Sequence, residues 1–192
     1  MTEHLIVAAT EAEAAYVPEG LPVLVTGMGK TAAATALART LASYGDLAEL
    51  EVVNIGTAGS LHDHHEGLFE PGIVLNHDIS ADAIRALGYD VEERLDCGSG
   101  STGVVLASGD VFVTDPGTRA RLAERADLVD MEGYAVVYVA RSFGVPVRVV
   151  KHVSDNADES AHDWPSLVDD SARALGEWLV HHVVDPEVQS QE

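Results

Sequence analysis

The sequence predicts an α/β protein of three layers, in which helices flank a mixed, mostly parallel central sheet. Two observations predict this. Apolar runs of strand length alternate with helix-length patterns along the chain, with no internal repeat and no linker. Several of these runs are near-continuous instead of alternating, as strands covered on both faces read. A single domain over residues 1–184 and a frayed tail over 185–192 are expected.

The first strand is His4-Leu5-Ile6-Val7-Ala8-Ala9. Thr10 follows as an N-cap with Glu13 three residues on, the spacing of a capping box, so a first helical turn is expected over 10–15. Pro22 to Thr26 reads as the second strand, turned by Gly27-Met28-Gly29-Lys30 into an Ala-rich helix from Thr31 to Tyr44. Glu51 to Gly56 is the third strand, with Thr57-Ala58-Gly59-Ser60 as a small-residue turn at its end. His62-Asp63-His64-His65-Glu66 contains metal-capable side chains, but nothing in the local pattern fixes their geometry, and it reads as a solvated loop. Gly72 to Asn76 is a strand, Ser80 to Leu87 a short helix, and the Gly/Ser-rich Cys97 to Gly103 a loop. Thr102 to Ala107 is a strand, and Asp115-Pro116 opens a helix running to about Ala126. Trp164 to Val184 has the pattern of a long amphipathic helix.

The stretch from Val129 to Asp158 reads as strand, helix, strand. Met131, Ala135, Val139 and Phe143 share one helical face and Gly144 supplies the stop, placing Glu132 at the helix start. The apolar run Val147 to Val153 brings Asp155 to the carboxyl end of a buried strand, the rim at which open α/β sheets bind ligands. Glu13, just past the first strand, belongs to the same rim. Two readings of these acids stand side by side: a turn cap and a helix-start acid, or the carboxylates of a site.

Eleven Lys and Arg against 32 Asp and Glu give a net charge of −21, which argues against nucleic acid and anionic membrane as partners. No apolar run reaches membrane-span length and no basic flank marks a signal peptide, so a cytoplasmic location is expected. Cys97 is the only cysteine, which leaves no internal disulfide and no multi-cysteine metal site; neither a metal nor a cofactor is expected.

Five strand-end stretches occur in one order: Gly27-Met28-Gly29-Lys30, Asn54 to Gly59, Ser108-Gly109-Asp110-Val111-Phe112, Val129-Asp130-Met131-Glu132 and Val153 to Asp158. Together they resemble the purine nucleoside phosphorylase and nucleosidase superfamily, most of all its methylthioadenosine/S-adenosylhomocysteine nucleosidase branch. The resemblance implies a compact variant of the nucleoside phosphorylase-like fold, a homodimer, and a purine nucleoside as substrate. It implies that Met131 and Glu132 hold the ribose, Phe112 stacks on the base, Asp155 is the acid at the purine, Thr57 holds the attacking water and Glu13 orients or activates it. Ala8 and Ser154 are assigned to substrate binding on the same ground. The chain departs from the pattern in three places. No hairpin separates Tyr16 from Pro22, Gly72-Ile73-Val74 lacks the usual acid, and Glu92-Glu93 with the short 97–103 loop replaces the segment over the sugar's 5′ side. The 5′ substituent is therefore left open.

Cleaving an N-glycosidic bond builds positive charge on the sugar and negative charge on the departing base, so one carboxyl must deliver a proton while another stays ionised. Asp155, expected to be desolvated, is the candidate acid, and Glu13, expected nearer water, the candidate base. Phosphorylases of the superfamily carry an arginine before the Gly-Thr/Ser turn, where this chain has Val53-Asn54-Ile55, so water is the expected nucleophile. Three alternatives remain: phosphorolysis with Lys30 holding phosphate, a non-catalytic nucleoside-binding protein, and a P-loop hydrolase with Asp130 as its magnesium acid. The last conflicts with Leu24, which stands where the motif's first glycine belongs.

Overall fold

The computed structural model describes residues 2–98, 103–159, 161 and 164–184; the expected tail over 185–192 and the start of the expected strand at Thr102 lie outside them. Among the described residues, nine strands and five α-helices follow in order: β1 (Glu3–Ala8), β2 (Val23–Val25), α1 (Lys30–Ser43), β3 (Leu50–Ser60), β4 (Leu68–Phe69), β5 (Ile73–Asn76), α2 (Ala81–Ala86), β6 (Arg94–Asp96), β7 (Val105–Ser108), α3 (Pro116–Ala123), β8 (Leu128–Asp130), α4 (Gly133–Ser142), β9 (Val147–Asp155) and α5 (Trp164–Leu179), which ends in a wider turn over Val180–Val184.

One mixed sheet contains them all. β1 runs parallel to β2 and β3, β3 to β9, and β7 to both β5 and β8. The pairs β3–β8, β4–β9 and β5–β6 are antiparallel. β3 joins the two parts of this arrangement: residues 52–59 pair with β9, with a register shift at Ala58/Gly59, and Gly59 and Ser60 pair with β8. The expected turn over Thr57–Ser60 is therefore strand. Small residues permit this, because a Cβ on Gly59 would lie 2.9 Å from the Ala157 Cβ.

Period-two alternation divides the core. Leu5, Val7, Val52, Val149, Leu106 and Leu128 face one way and pack in the cluster that holds Leu37 of α1 and Val136 of α4. Ile6, Ala8, Val53, Ile55 and Val150 face α5 through Leu175, Trp178 and Leu179. Leu75, Ala107 and Val129 meet Leu122 of α3 on that second side. The three-layer expectation holds. β4 and β6, two and three residues long, are too short to leave an apolar run in the sequence. Residues 10–16 form turns instead of the expected helix start, and α4 begins at Gly133, after Met131.

Candidate active site

A cavity of about 460 Å³ opens where the carboxyl ends of β1, β3, β8 and β9 meet. Glu13, Thr57, Phe112, Met131, Glu132, Ser154 and Asp155 all line it, so elements spread over 143 residues of sequence converge on one space. Ala8 does not line it. It is fully buried in the α5-side core and its carbonyl accepts from the Thr26 amide at 3.0 Å, whereas the next residue, Ala9, reaches the cavity wall.

Glu13 realises both sequence readings, one on each oxygen. Its Oε2 accepts from the Thr10 amide at 3.1 Å and the Thr10 hydroxyl at 3.0 Å, and Thr10 Oγ1 accepts from the Glu13 amide at 3.2 Å, which is the reciprocal capping-box pattern without a helix behind it. Its Oε1 accepts from the amide and hydroxyl of Thr57 at 2.8 and 2.9 Å. The Thr57 hydroxyl in turn accepts from the indole Nε1 of Trp164 at 2.9 Å.

Glu132 occupies the N-cap position of α4 without capping it. The helix donors are met from elsewhere: the Gly133 amide donates to Asp130 Oδ2 at 2.9 Å and the Tyr134 amide to Ser108 Oγ at 2.9 Å. Glu132 is thereby free to turn toward the α1 loop, where the Gly29 amide donates to its Oε1 at 2.7 Å. Burial, with the Asp130 carboxylate beside it, pushes the Glu132 carboxyl up to about 7.

Beneath the cavity floor lies Lys151, 2% exposed, its Nζ 2.8 Å from Asp130 Oδ2. Burial works against its charge, yet the Asp130, Glu132 and Glu13 carboxylates outweigh it and hold the ammonium above its ordinary range. Gly56 makes room for this meeting, since a Cβ there would sit 3.0 Å from Glu13 Oε1 and 3.1 Å from Lys151 Nζ. Lys151 is thus the counter-charge for three carboxylates. Lys151→Met is expected to destabilise the fold by about 3–5 kcal/mol, because it strands buried acids without a partner. Urea denaturation at neutral pH checks this.

The expected environments of Asp155 and Glu13 are reversed. Glu13 is only 5% exposed, while Asp155 is half-buried at the end of β9, where it still pairs with Gly59 of β3 and lines the cavity. Asp155 Oδ2 accepts from the Ser154 hydroxyl at 2.7 Å and Oδ1 from the Ala157 amide at 2.8 Å. Ala157 is buried with φ +51°, a left-handed conformation that costs energy for a residue with a Cβ. The strain sits in the turn that aims Asp155 into the cavity.

The wall around the mouth is apolar: Met28, Val111 and Phe112 are 58%, 55% and 51% exposed. Lys30 lies outside the cavity. Its Nζ is held by Asp78 and, at 2.8 Å, by Asn76 Oδ1, with Asp110 Oδ2 at 4.0 Å. Its amide donates to Asp110 at 2.7 Å, so the P-loop-like turn organises carboxylates, not phosphate. In the 62–66 loop the imidazoles of His62, His64 and His65 pack on one another at 4.3–5.6 Å, and His62 Nε2 lies 3.2 Å from the Ala126 carbonyl.

Sequence reasoning missed Lys151, Trp164 and the structural use of Asp130. Lys151 had a legible signal: a lone lysine inside the apolar run Val147 to Val153, in a chain with only two lysines, must be paired. Trp164 had none, since an aromatic residue opening an amphipathic helix reads as core.

Comparison with known proteins places this arrangement. The family model described as the phosphorylase superfamily matches residues 101–179. An aminodeoxyfutalosine nucleosidase of Helicobacter pylori is 38% identical over 78 residues, 39% of this chain and 34% of that protein. The chain thus spans about a third of that relative's length. A 5′-methylthioadenosine/S-adenosylhomocysteine nucleosidase of Shewanella putrefaciens is 29% identical across 86% of each chain. The solved 5′-methylthioadenosine/S-adenosylhomocysteine nucleosidase of Helicobacter pylori, in complex with a substituted pyrrolidin-3-ol, superimposes with a TM-score of 0.81 at 23% identity, covering 96% of this chain and 98% of that one. The native futalosine hydrolase of the same organism gives the same values. In fold the chain matches these nucleosidase structures, and its segment 101–179 is similar to the phosphorylase superfamily.

Proposed function

We propose that the protein hydrolyses the N-glycosidic bond of a purine nucleoside of the adenine type. The observation that carries this reading is the convergence of Glu13, Glu132 and Asp155 on one cavity, each held by different partners. Asp155, braced by Ser154, protonates the leaving purine, which stacks on Phe112. Glu132, ionised when substrate is bound, accepts from the ribose hydroxyls beside Met131 and stabilises the positive charge that grows on the sugar. Thr57 and Glu13 hold and activate the attacking water. Water is the nucleophile in this reading because Lys30, the cation a phosphate would need, is already bound by Asp78 and Asn76 and lies outside the cavity.

The reaction is placed in one domain over residues 1–184, acting in the cytoplasm; among the described residues no helix is long and apolar enough to cross a membrane. A homodimer is part of the proposal. The apolar mouth at Met28, Val111 and Phe112 suits closure by a second subunit.

The test is base release in phosphate-free buffer from 5′-methylthioadenosine, S-adenosylhomocysteine, aminodeoxyfutalosine, 5′-deoxyadenosine, adenosine and inosine. Adenine from at least one adenine nucleoside, with the rates ranking the 5′ groups, is the expected result. No release from any of them would leave a binding protein on this scaffold.

A further inference from the structure

We infer that Trp164 is a positioning residue for the water-activating carboxylate, acting on Glu13 through Thr57. The inference rests on the hydrolytic reading above. Trp164 opens α5 nine residues after Asp155 and lines the cavity wall beside Thr57 and Glu13. Its indole N–H can only donate, and it donates to Thr57 Oγ1 at 2.9 Å. A hydroxyl has one proton to give. With its acceptor side taken by the indole, Thr57 directs that proton onto Glu13 Oε1 at 2.9 Å, where the Thr57 amide also donates at 2.8 Å. The chain Trp164 to Thr57 to Glu13 runs in one direction and ends on a carboxylate, the arrangement in which each bond strengthens the next.

The opposite oxygen is held by a local ring of longer bonds. Glu13 Oε2 is met by the Thr10 amide and hydroxyl at 3.1 and 3.0 Å, and that hydroxyl accepts from the Glu13 amide at 3.2 Å, against 2.8 and 2.9 Å on Oε1. Thr10 also lines the cavity and is half-buried. Oε1 is the anchored oxygen and Oε2 the one that yields to water when the Thr10 hydroxyl turns. Trp164 thereby decides which oxygen of Glu13 serves the reaction.

Trp164→Phe keeps an aromatic ring in the wall and deletes the donor. The Thr57 hydroxyl is then free to turn toward water or substrate. The expected result is a fall in kcat of about tenfold with KM within about twofold, the size of one lost hydrogen bond acting in the transition state. In a Thr57→Ala background the same exchange is expected to change kcat no further, because the route from indole to carboxylate is already cut. A rise in KM with kcat intact would overturn the inference by making the ring a substrate contact, and so would additive losses in the double variant.

A second readout needs no turnover. The chain has two tryptophans, Trp164 and Trp178, so a ¹⁵N-labelled sample gives two indole N–H signals, the latter donating to Glu70 at 3.1 Å. Thr57→Ala is expected to move the signal that Trp164→Phe deletes and to leave the other in place; an unmoved Trp164 signal overturns the inference. No base release by the wild-type protein, together with the moved signal in Thr57→Ala, would sink the hydrolytic reading, and with it the catalytic consequence, while leaving the hydrogen-bond chain standing.

Discussion

Asp155→Asn is expected to give a folded protein whose turnover is lower by about a thousandfold, within the range that a positioned general acid supplies. An asparagine fits the site: its carbonyl oxygen can accept from the Ala157 amide, as Asp155 Oδ1 does, and the Ser154 hydroxyl can rotate to accept from the new amide group. What it lacks is a proton acidic enough to reach a ring nitrogen of the purine. The bond to the base would then have to break with full negative charge on the departing ring. Single-turnover base release measures the loss, and a thermal melt that matches wild type separates lost chemistry from lost fold. Wild-type release rates in this variant would remove Asp155 from the mechanism.

Glu132→Gln is expected to act in opposite directions on activity and stability. The variant keeps an oxygen for the Gly29 amide but places no charge beside the ribose, and kcat/KM is expected to fall by about a hundredfold or more. Stability moves the other way above neutral pH. The wild-type carboxyl is raised from 4.5 to about 7 by burial and by Asp130, so the folded state binds a proton that the unfolded chain has released between those values. Stability from this group is therefore fully present below about pH 4.5 and is lost as pH rises toward 7. At pH 8 the native protein carries an ionised, buried Glu132 at a cost on the order of a few kcal/mol. Glutamine does not ionise, so its melting temperature is expected to exceed that of wild type at pH 8, with the gap closing toward pH 5. Equal melting curves at both pH values would show that Glu132 is not held against its ionisation.

That opposition explains what could and could not be read from the chain. Strand identity was legible because Leu5 to Ala8, Val52-Val53 and Val149-Val150 are covered on both faces and so are apolar at consecutive positions. The rim acids were legible as residue types at strand ends. Their environments were not, because burial at the rim is set by what crosses above it. Asp155 was expected to be the desolvated acid, yet as the last residue of β9 it is half-buried on the open cavity; Glu13 was expected near water, yet Thr10 and Thr57 close over it. The desolvated carboxyl with a raised pKa is Glu132, whose neighbours Gly29, Asp130 and Lys151 come from three separate elements. The Thr57–Ser60 turn was misread for a related reason. Gly59 there serves close packing of β3 against Ala157 within a strand, and a single sequence does not distinguish that use from a turn. The one-residue offset from Ala8 to Ala9 follows from strand parity, since the pleat sends Ala8 into the α5-side core.

The central claim is that water, and not phosphate, takes the sugar. The most direct measurement is identification of the sugar product when the best nucleoside of the panel is turned over with and without 50-fold excess phosphate. Equal rates of base release and a free sugar are expected in both reactions, since Lys30 is held by Asp78 and Asn76 and no other cation is free at the cavity among the described residues. A sugar 1-phosphate, formed only when phosphate is present, would contradict it and return the phosphate-binding role to Lys30.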